Sequence, residues 1–252
     1  MISLKTSREL ALMRQAGRVA SEALRLAGEA LRPGVSTWEV DRVAASHIEK
    51  CGAHASQLGY EGFPAATCVS VNGGVIHGIP SRTHILKEGD IVSIDLTVDI
   101  GGYHADNAAT FAVGRVAENA RRLMDVTRES MFEGIRAARA GARIGDISHA
   151  VQSYVEARGY SVVRDFVGHG VGASLHEPPE VPNFGNPGHG ARLVPGMTIT
   201  VEPMISAGRP EVDILRDKWT VVTRDGSLSA HFEHTIAIAE GGPVILTLPD
   251  GE

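Results

Sequence analysis

The sequence predicts an α+β domain built from two similar halves, with the strands of both halves in one sheet and helices covering one face of that sheet. Three observations support this prediction. Amphipathic helices with recognisable N-caps occur in two pairs. Segments of alternating apolar and polar residues, which are typical of strands, follow each pair. The chain also matches itself when it is shifted by 107 residues.

The first helix pair lies near the N-terminus. Thr6-Ser7-Arg8-Glu9 is a capping-box pattern, and apolar residues recur after it at helical spacing up to a stop at Pro33-Gly34. Ser36-Thr37-Trp38-Glu39 is a second capping box, and it opens a helix that ends near Cys51-Gly52. We therefore expect a long helix followed by a shorter one.

The second pair repeats this arrangement. A long helix is expected over 118–140, Gly141 interrupts it, and Asp146 is expected to cap a shorter helix that ends at Gly159. Without a gap, the offset of 107 residues aligns Gly34 with Gly141, Val40 with Ile147, Gly52 with Gly159, Leu86 with Leu193, Gly89 with Gly196, Ile94 with Val201 and Asp95 with Glu202.

This internal repeat predicts pseudo-two-fold symmetry. Asp95 and Glu202 would occupy equivalent places near the symmetry axis. We expect a single domain over 1–252, with internal halves of about 1–115 and 116–252, and neither half should fold alone.

Acidic side chains lie on the polar faces of the expected strands. In the expected strand 91–98, Asp95 should point away from the core. A hairpin centred on Ile100-Gly101 would place Asp95 opposite Asp106 at about 5 Å, where two carboxylates repel unless a cation lies between them. Two more expected strands, over 197–202 and 229–236, place Glu202, His231 and Glu233 on polar faces.

A metal site is the interpretation that these acids favour. The glycine-rich loop Gly168-His169-Gly170-Val171-Gly172 adds an imidazole, and no Gly-Lys-Ser/Thr follows that would indicate phosphate binding. Four carboxylates and one or two imidazoles suit a divalent ion such as Mn, Fe, Co or Zn, and five ligands are enough for a pair of ions. Cys51 and Cys68 are too few for a structural zinc site.

Composition excludes several classes of protein. With 43% hydrophobic and 21% charged residues, the chain of 252 residues is neither disordered nor collagen-like. A net charge of −6 disfavours nucleic acid as a ligand. Two cysteines give no disulfide framework, and no apolar run has the length of a membrane span. We therefore expect a cytoplasmic protein that does not enter a membrane.

The chain resembles the methionine aminopeptidases of type I, in the short bacterial form of the M24 peptidases, over nearly its whole length. The motifs that carry the resemblance are Ser70-Val71-Asn72, His77-Gly78-Ile79-Pro80, Asp95 with Asp106, Gly168-His169-Gly170-Val171-Gly172, His176-Glu177, Glu202-Pro203, Trp219-Thr220-Val221-Val222 and Phe232-Glu233-His234-Thr235. The resemblance implies the pita-bread fold, with a curved antiparallel sheet, and a single catalytic domain that releases N-terminal methionine.

The resemblance also implies the ligands of two divalent ions, drawn from Co, Mn, Fe, Zn or Ni. It assigns Asp95 to one ion, His169 and Glu202 to the other, and Asp106 and Glu233 to both. A metal-bound hydroxide would be the nucleophile, and the metal held by Asp95 would bind the free α-amino group of the substrate.

Catalytic and pocket residues follow from the same resemblance. Glu202 would be the general base, His176 would stabilise the oxyanion and His77 would contact the peptide beyond the scissile bond. The methionine pocket would be formed by Tyr60, Phe63, Cys68, Leu175 and Trp219. Phe63 and Leu175 depart from the family pattern, in which Tyr and Phe are usual, and Gly73-Gly74 replaces a bulkier residue after Asn72.

Two alternatives remain open. An X-Pro aminopeptidase or prolidase shares the five ligands, although such relatives usually carry an additional N-terminal domain. A non-catalytic module of the same fold could bind peptides or partner proteins. The resemblance implies nascent polypeptide N-termini as partners, near the ribosome, with the enzyme as a monomer. His104, His149 and His231 have no motif support and are expected to be structural or surface residues.

Overall fold

The computed structural model describes residues 2–248, which contain four α-helices arranged in two pairs. They are α1 (Ser7–Glu29), α2 (Thr37–Lys50), α3 (Glu118–Ala137) and α4 (Ile144–Glu156). Both expected capping boxes are present: the backbone N–H of Thr6 donates to Glu9 over 2.6 Å and that of Ser36 donates to Glu39 over 2.9 Å. Within the described residues, the helices lack the combination of length and apolar character that crossing a membrane requires.

Fifteen short and medium strands separate and follow these helices. In chain order they are β1 (His54–Ala55), β2 (Cys68–Val71), β3 (Gly74–Ile76), β4 (Ile91–Ile100), β5 (Tyr103–Ala112), β6 (Ser161–Val162), β7 (Gly168–Gly170), β8 (Glu177–Val181), β9 (Thr198–Val201), β10 (Met204–Ser206), β11 (Val212–Ile214), β12 (Val221–Thr223), β13 (Ser229–His231), β14 (Glu233–Ala239) and β15 (Gly242–Ile245).

Nine of these strands form one antiparallel sheet in the order β1-β4-β5-β14-β9-β7-β8, with β2 paired to β4 and β15 paired to β14. The centre of the sheet is the pairing of β5 with β14, which joins the two parts of the chain. Two three-stranded sheets, β13-β10-β6 and β11-β12-β3, lie beside it.

The apolar face of the sheet packs against the helices. Val92, Ile94, Leu96 and Val98 of β4 are fully buried and belong to one core cluster with alanines and Leu24 of α1. The corresponding strand β9 packs with α3 and α4 in a second cluster. The polar side chains of the sheet are therefore gathered on the opposite face.

The offset of 107 residues relates the two parts in detail. Helix α2 begins at Thr37 and α4 at Ile144, and an isolated bridge joins Ser36 to Ile85 as another joins Arg143 to Arg192. The matching glycines Gly34 and Gly141 each donate a backbone hydrogen bond across the equivalent loop, over 2.9 and 2.8 Å, to Leu86 and Leu193. Repeated local sequence has thus produced repeated local geometry, as the prediction of an internal repeat required.

Three element boundaries differ from the predictions. Helix α3 ends at Ala137 rather than 140, because Ala138 turns out of the helical region with ψ 58°. Asp146 is not the N-cap of α4: Arg143 occupies that place, and Asp146 lies three residues on and accepts its backbone N–H over 2.7 Å. The expected strand 229–236 is divided at Phe232 between β13 and β14.

The register of the β4–β5 hairpin also differs from the prediction. Asp95 lies opposite Ala108, and Asp106 lies opposite Thr97. The turn is centred on Gly101-Gly102, with φ angles of 61° and 79°, because two glycines adopt the left-handed turn that matches strand twist. A shift of two residues keeps every side chain on its face, so Asp95 and Asp106 remain diagonal neighbours.

Candidate metal centre and active-site cavity

One cavity of about 670 Å³ opens on the polar face of the sheet. All the residues to which the sequence analysis gave a site role line it: Tyr60, Phe63, Cys68, His77, Asp95, Asp106, His169, Leu175, His176, Glu202, Trp219 and Glu233. The structure therefore brings together residues that are spread over more than 170 positions of the chain.

The four carboxylates meet because neighbouring strands place them in register. Asp95 on β4 lies opposite Ala108 on β5, and Ala108 lies opposite Glu233, the first residue of β14. Glu202 follows directly after β9, which pairs with β14, and Asp106 is two residues from Ala108 on the same face. The small side chain of Ala108 leaves the space between these acids open.

The polar face is buried rather than wet. Asp95 is 9% exposed, Asp106 5%, Glu202 8% and Glu233 2%. Burial is the main cause that raises the pKa of all four carboxyl groups above their ordinary values, and the proximity of Asp106 further raises the pKa values of the other three. Four ionised acids would repel one another here, so the site favours protons or cations.

His169 faces these acids with a free ring nitrogen. Its Nδ1 lies 2.8 Å from the carbonyl oxygen of Gly170, and because a carbonyl only accepts, Nδ1 carries the proton. Its Nε2 lies 3.5 Å from Glu202 and 3.8 Å from Asp106. Burial lowers the pKa of His169 to about 4, so the ring is neutral at pH 7, which is the form that binds a metal ion.

Two groups of side chains are compact enough to hold metal ions. Asp106, His169 and Glu233 form one group, and Glu202, His231 and Glu233 form the other, each with ligand atoms within 4.8 Å of one another. Glu233 belongs to both, and its buried Oε1 finds no hydrogen-bond partner among residues 2–248. An unpartnered carboxylate oxygen amid carboxylates and neutral imidazole is the chemistry that divalent ions satisfy, so the residues present fit such ions.

His231 was expected to be structural or on the surface, and it is neither exposed nor remote from the acids. It is 2% exposed, and its Nε2 lies 3.9 Å from Glu202. Both ring nitrogens are buried without a hydrogen-bond partner within the described part of the chain. The alternation of 229–236 had placed His231 on the same face as Glu233, which was the signal available in the sequence.

Gln57 is a second residue that the sequence analysis missed. Its side-chain amide donates to Asp95 over 3.3 Å. Gln57 precedes the short 3₁₀ turn Tyr60–Gly62, in a loop without periodic pattern, so no sequence signal pointed to it.

The other end of the cavity is apolar. Phe63 packs edge-on against Trp219 with ring centroids 5.1 Å apart, and the buried side chains of Cys68 and Leu175 complete a small cup. Tyr60 stands beside the cup, with its hydroxyl 2.9 Å from Nδ1 of His176.

Two more imidazoles stand between the acids and the cup. His77 lies edge-on to Trp219 at 6.0 Å, with its backbone in the left-handed region at φ 56°. Such a conformation is uncommon without glycine and is often found at functional sites. His176 lies 4.3 Å from the ring of His169. Burial lowers the pKa of both His77 and His176 to about 4, and the neighbouring His169 contributes at His176, so both are neutral at pH 7.

The loop that carries Leu175 and His176 is fixed from the N-terminus. Lys5 donates to Glu177 over 2.5 Å, and the other carboxylate oxygen of Glu177 accepts the backbone N–H of Ser174 over 3.1 Å. The Lys5 side chain is only 2% exposed, and a buried ion pair of this kind is costly to break from one side.

Comparison with known proteins agrees with this site. The family model of metallopeptidase family M24 matches residues 11–240. The methionine aminopeptidase of Clostridium perfringens is 54% identical over 248 residues, which cover 98% of this chain and 99% of that protein. The methionine aminopeptidase 1 of Bacillus subtilis is 49% identical over 247 residues, with 98% and 99% covered.

Solved structures show the same fold. A methionine aminopeptidase from Thermotoga maritima superposes with a TM-score of 0.97 at 45% identity, covering 98% of this chain and 99% of that one. A prolidase from Pyrococcus horikoshii superposes with a TM-score of 0.78 at 22% identity, covering 99% of this chain and 64% of that one, and shares the fold alone. The chain therefore has the pita-bread fold and belongs to metallopeptidase family M24.

Proposed function

We propose that this chain removes the N-terminal methionine from peptides and nascent polypeptides by metal-dependent hydrolysis. The observation that carries the proposal is the cavity itself, where buried acids and a neutral imidazole lie at one end and a small apolar cup at the other. Two divalent ions held by Asp95, Asp106, His169, Glu202 and Glu233 would lower the pKa of water and polarise the scissile carbonyl. The donor set is compatible with Co, Mn, Fe, Zn or Ni.

Glu202 is the residue placed to take the proton from the attacking water. Thr200 donates to its Oε1 over 2.6 Å, which fixes the carboxylate and leaves Oε2 for the proton. Burial raises the pKa of Glu202, so the group holds a proton more readily than a surface glutamate does. Both features suit a general base.

His176 and His77 would bind the substrate as neutral donors. When the Tyr60 hydroxyl donates to Nδ1 of His176, the ring proton lies on Nε2, where it can donate to the carbonyl oxygen as negative charge develops. His77, enclosed beside Trp219, is placed to donate to the peptide beyond the scissile bond.

The cup would bind the methionine side chain. Phe63, Cys68, Leu175 and Trp219 present aromatic, sulfur and aliphatic surface, and polarizable thioethers pack well against such groups. Because the acids close the other end of the cavity, a free α-amino group would be held beside Asp95, which makes the reaction an aminopeptidase reaction.

A tripeptide panel tests the proposal. After chelation and reconstitution with Mn, Co or Fe, the chain should cleave Met-Ala-Ser and should favour it over Leu-Ala-Ser by roughly 10- to 200-fold, the range that an apolar pocket supplies. Release of Met would be measured by chromatography. Cleavage of Leu-Pro-Ser without cleavage of Met-Ala-Ser would favour the X-Pro alternative, and no cleavage of any peptide would favour a binding module.

His176→Ala should lower kcat by ~10²-fold or more, because a donor to the developing oxyanion is lost. The fold should persist, since the ring lies at the exposed mouth of the cavity. Steady-state kinetics with Met-Ala-Ser measures the effect. His189→Ala, which removes an exposed histidine outside the cavity, is the matched control and should leave kcat unchanged. A kcat for His176→Ala within a few-fold of the parent would refute the assignment.

The setting of the reaction is part of the proposal. Substrates would be nascent polypeptide N-termini, met in the cytoplasm near the ribosome by a monomeric enzyme. The acidic balance of −6 argues against direct contact with nucleic acid.

A further inference from the structure

Asp41 is a buried carboxylate outside the metal centre. It lies on α2 and is 4% exposed. A single oxygen, Oδ1, accepts three hydrogen bonds: from the backbone N–H of Ala66 over 3.0 Å, from the backbone N–H of Thr67 over 2.9 Å and from the Thr67 hydroxyl over 3.1 Å. Hydrogen bonds to an ionised acceptor are about twice as strong as neutral ones.

The segment that Asp41 holds is a wall of the apolar cup. Phe63 and Cys68, at the two ends of 63–68, line the active-site cavity. Ala65 and Ala66, between them, line a second groove of about 560 Å³, which Asp41 also lines. The wall is therefore a single stretch of chain with open space on both sides, and Asp41 ties it to a helix.

The internal repeat shows that this anchor is particular to the half that carries the cup. The residue at the equivalent position of α4, 107 positions later, is Ser148. Ser148 is also buried, at 1% exposed, but its hydroxyl donates to the carbonyl of Ile144 within its own helix over 3.1 Å. One position of the repeat anchors a pocket wall, and the other does not.

We propose that Asp41 is a positioning residue for the methionine cup, which fixes Phe63 and Cys68 through the backbone of Ala66 and Thr67 and so sets the preference for methionine over branched side chains. The inference rests on the proposed function. It assigns to Asp41 no contact with substrate or metal, because its measured contacts are with the wall alone.

The test compares Asp41→Ala with the parent and with Asp41→Asn, which keeps an oxygen acceptor. Asp41→Ala should lower kcat/KM for Met-Ala-Ser by roughly 10- to 100-fold, chiefly through KM, since a displacement of about 1 Å can cost 10²-fold. The ratio of kcat/KM for Met-Ala-Ser to that for Leu-Ala-Ser should fall to a few-fold. Asp41→Asn should restore most of that ratio. Bound metal should equal that of the parent in both variants.

Ser148→Ala is the matched control, because it alters the equivalent buried position without a pocket wall. It should leave the Met-to-Leu ratio unchanged even where thermal unfolding shows some loss of stability. If Asp41→Ala does not fold, Thr67→Val removes one of the three hydrogen bonds and should still lower the ratio. An unchanged ratio in Asp41→Ala, or in Thr67→Val when it replaces it, overturns the inference, whereas a parent that cleaves none of the peptides overturns the proposed function itself.

Discussion

Glu202→Gln should lower kcat for Met-Ala-Ser by ~10²-fold or more while the protein remains folded. Glutamine has nearly the same shape, and its carbonyl oxygen can still accept the hydrogen bond from Thr200, but an amide cannot take a proton from water. Steady-state kinetics at saturating Mn, with circular dichroism of the same samples, measures both parts of the expectation.

Metal loading must be separated from proton transfer in this variant, since Glu202 is also a proposed ligand. A calorimetric titration with Mn gives the metal affinity, and rates are compared only at full loading. Glu180→Gln makes the same chemical change to a glutamate that lines the same cavity but is exposed, and it should keep kcat within a few-fold. A fully loaded Glu202→Gln enzyme with a near-parental kcat would show that another group is the base.

Removal of metal should abolish activity and lower the thermal unfolding temperature. An ion present at 100 times its Kd stabilises the native state by about 2.7 kcal/mol, which is roughly 5–10 °C in Tm for a chain of this size. Chelated protein and Mn-loaded protein would be compared by calorimetry. Glu233→Gln, which removes the carboxylate common to both ligand groups, should lose most of the Mn-dependent rise in Tm.

The rise in Tm on adding Mn should grow with pH. In the metal-free native state the pKa values of Asp95, Glu202 and Glu233 are raised, so the native state binds more protons than the unfolded chain above their ordinary pKa values near 4. These groups therefore lower stability progressively as the pH increases through that range. Bound metal replaces the protons and removes this penalty.

The imidazoles act in the opposite direction. The pKa values of His77, His176 and His231 are lowered, to about 4, 4 and 3, so these groups destabilise the native state when the pH falls below about 6.5. They affect loaded and metal-free protein alike, and the difference in Tm at each pH isolates the ligands. A difference that is equal at pH 5.5 and pH 8 would contradict the assignment of these carboxylates as ligands.

The sequence predicted most of the fold because helix caps and the internal repeat are local or self-referential signals. Thr6 and Ser36 announce their helices within four residues, and the offset of 107 needs no partner other than the chain itself. Register is different, since it depends on which residues of a turn take left-handed angles. Three positions were available around Gly101, and the choice of Gly101-Gly102 moved the pairing by two residues.

The candidate site was predictable to the extent that its residues lie in motifs or on alternating strands. His231 carried the right alternation, but alternation does not tell a buried polar face from a wet one, and it was assigned no role. Gln57 reaches Asp95 from an irregular loop, and Asp41 reaches the cup wall from a helix. Contacts of this kind depend on tertiary packing, which neither periodicity nor spacing encodes.

The pairing of β5 with β14 joins the two parts of the chain through only two registered residue pairs, Ala108 with Glu233 and Asn107 with His234. The acids proposed as ligands lie on both sides of this joint, with Asp95 and Asp106 before it and Glu202 and Glu233 after it. Metal ions bound there would act as a clasp across a duplicated protein, so the cohesion of the two copies and the readiness of the catalytic groups would rise and fall together.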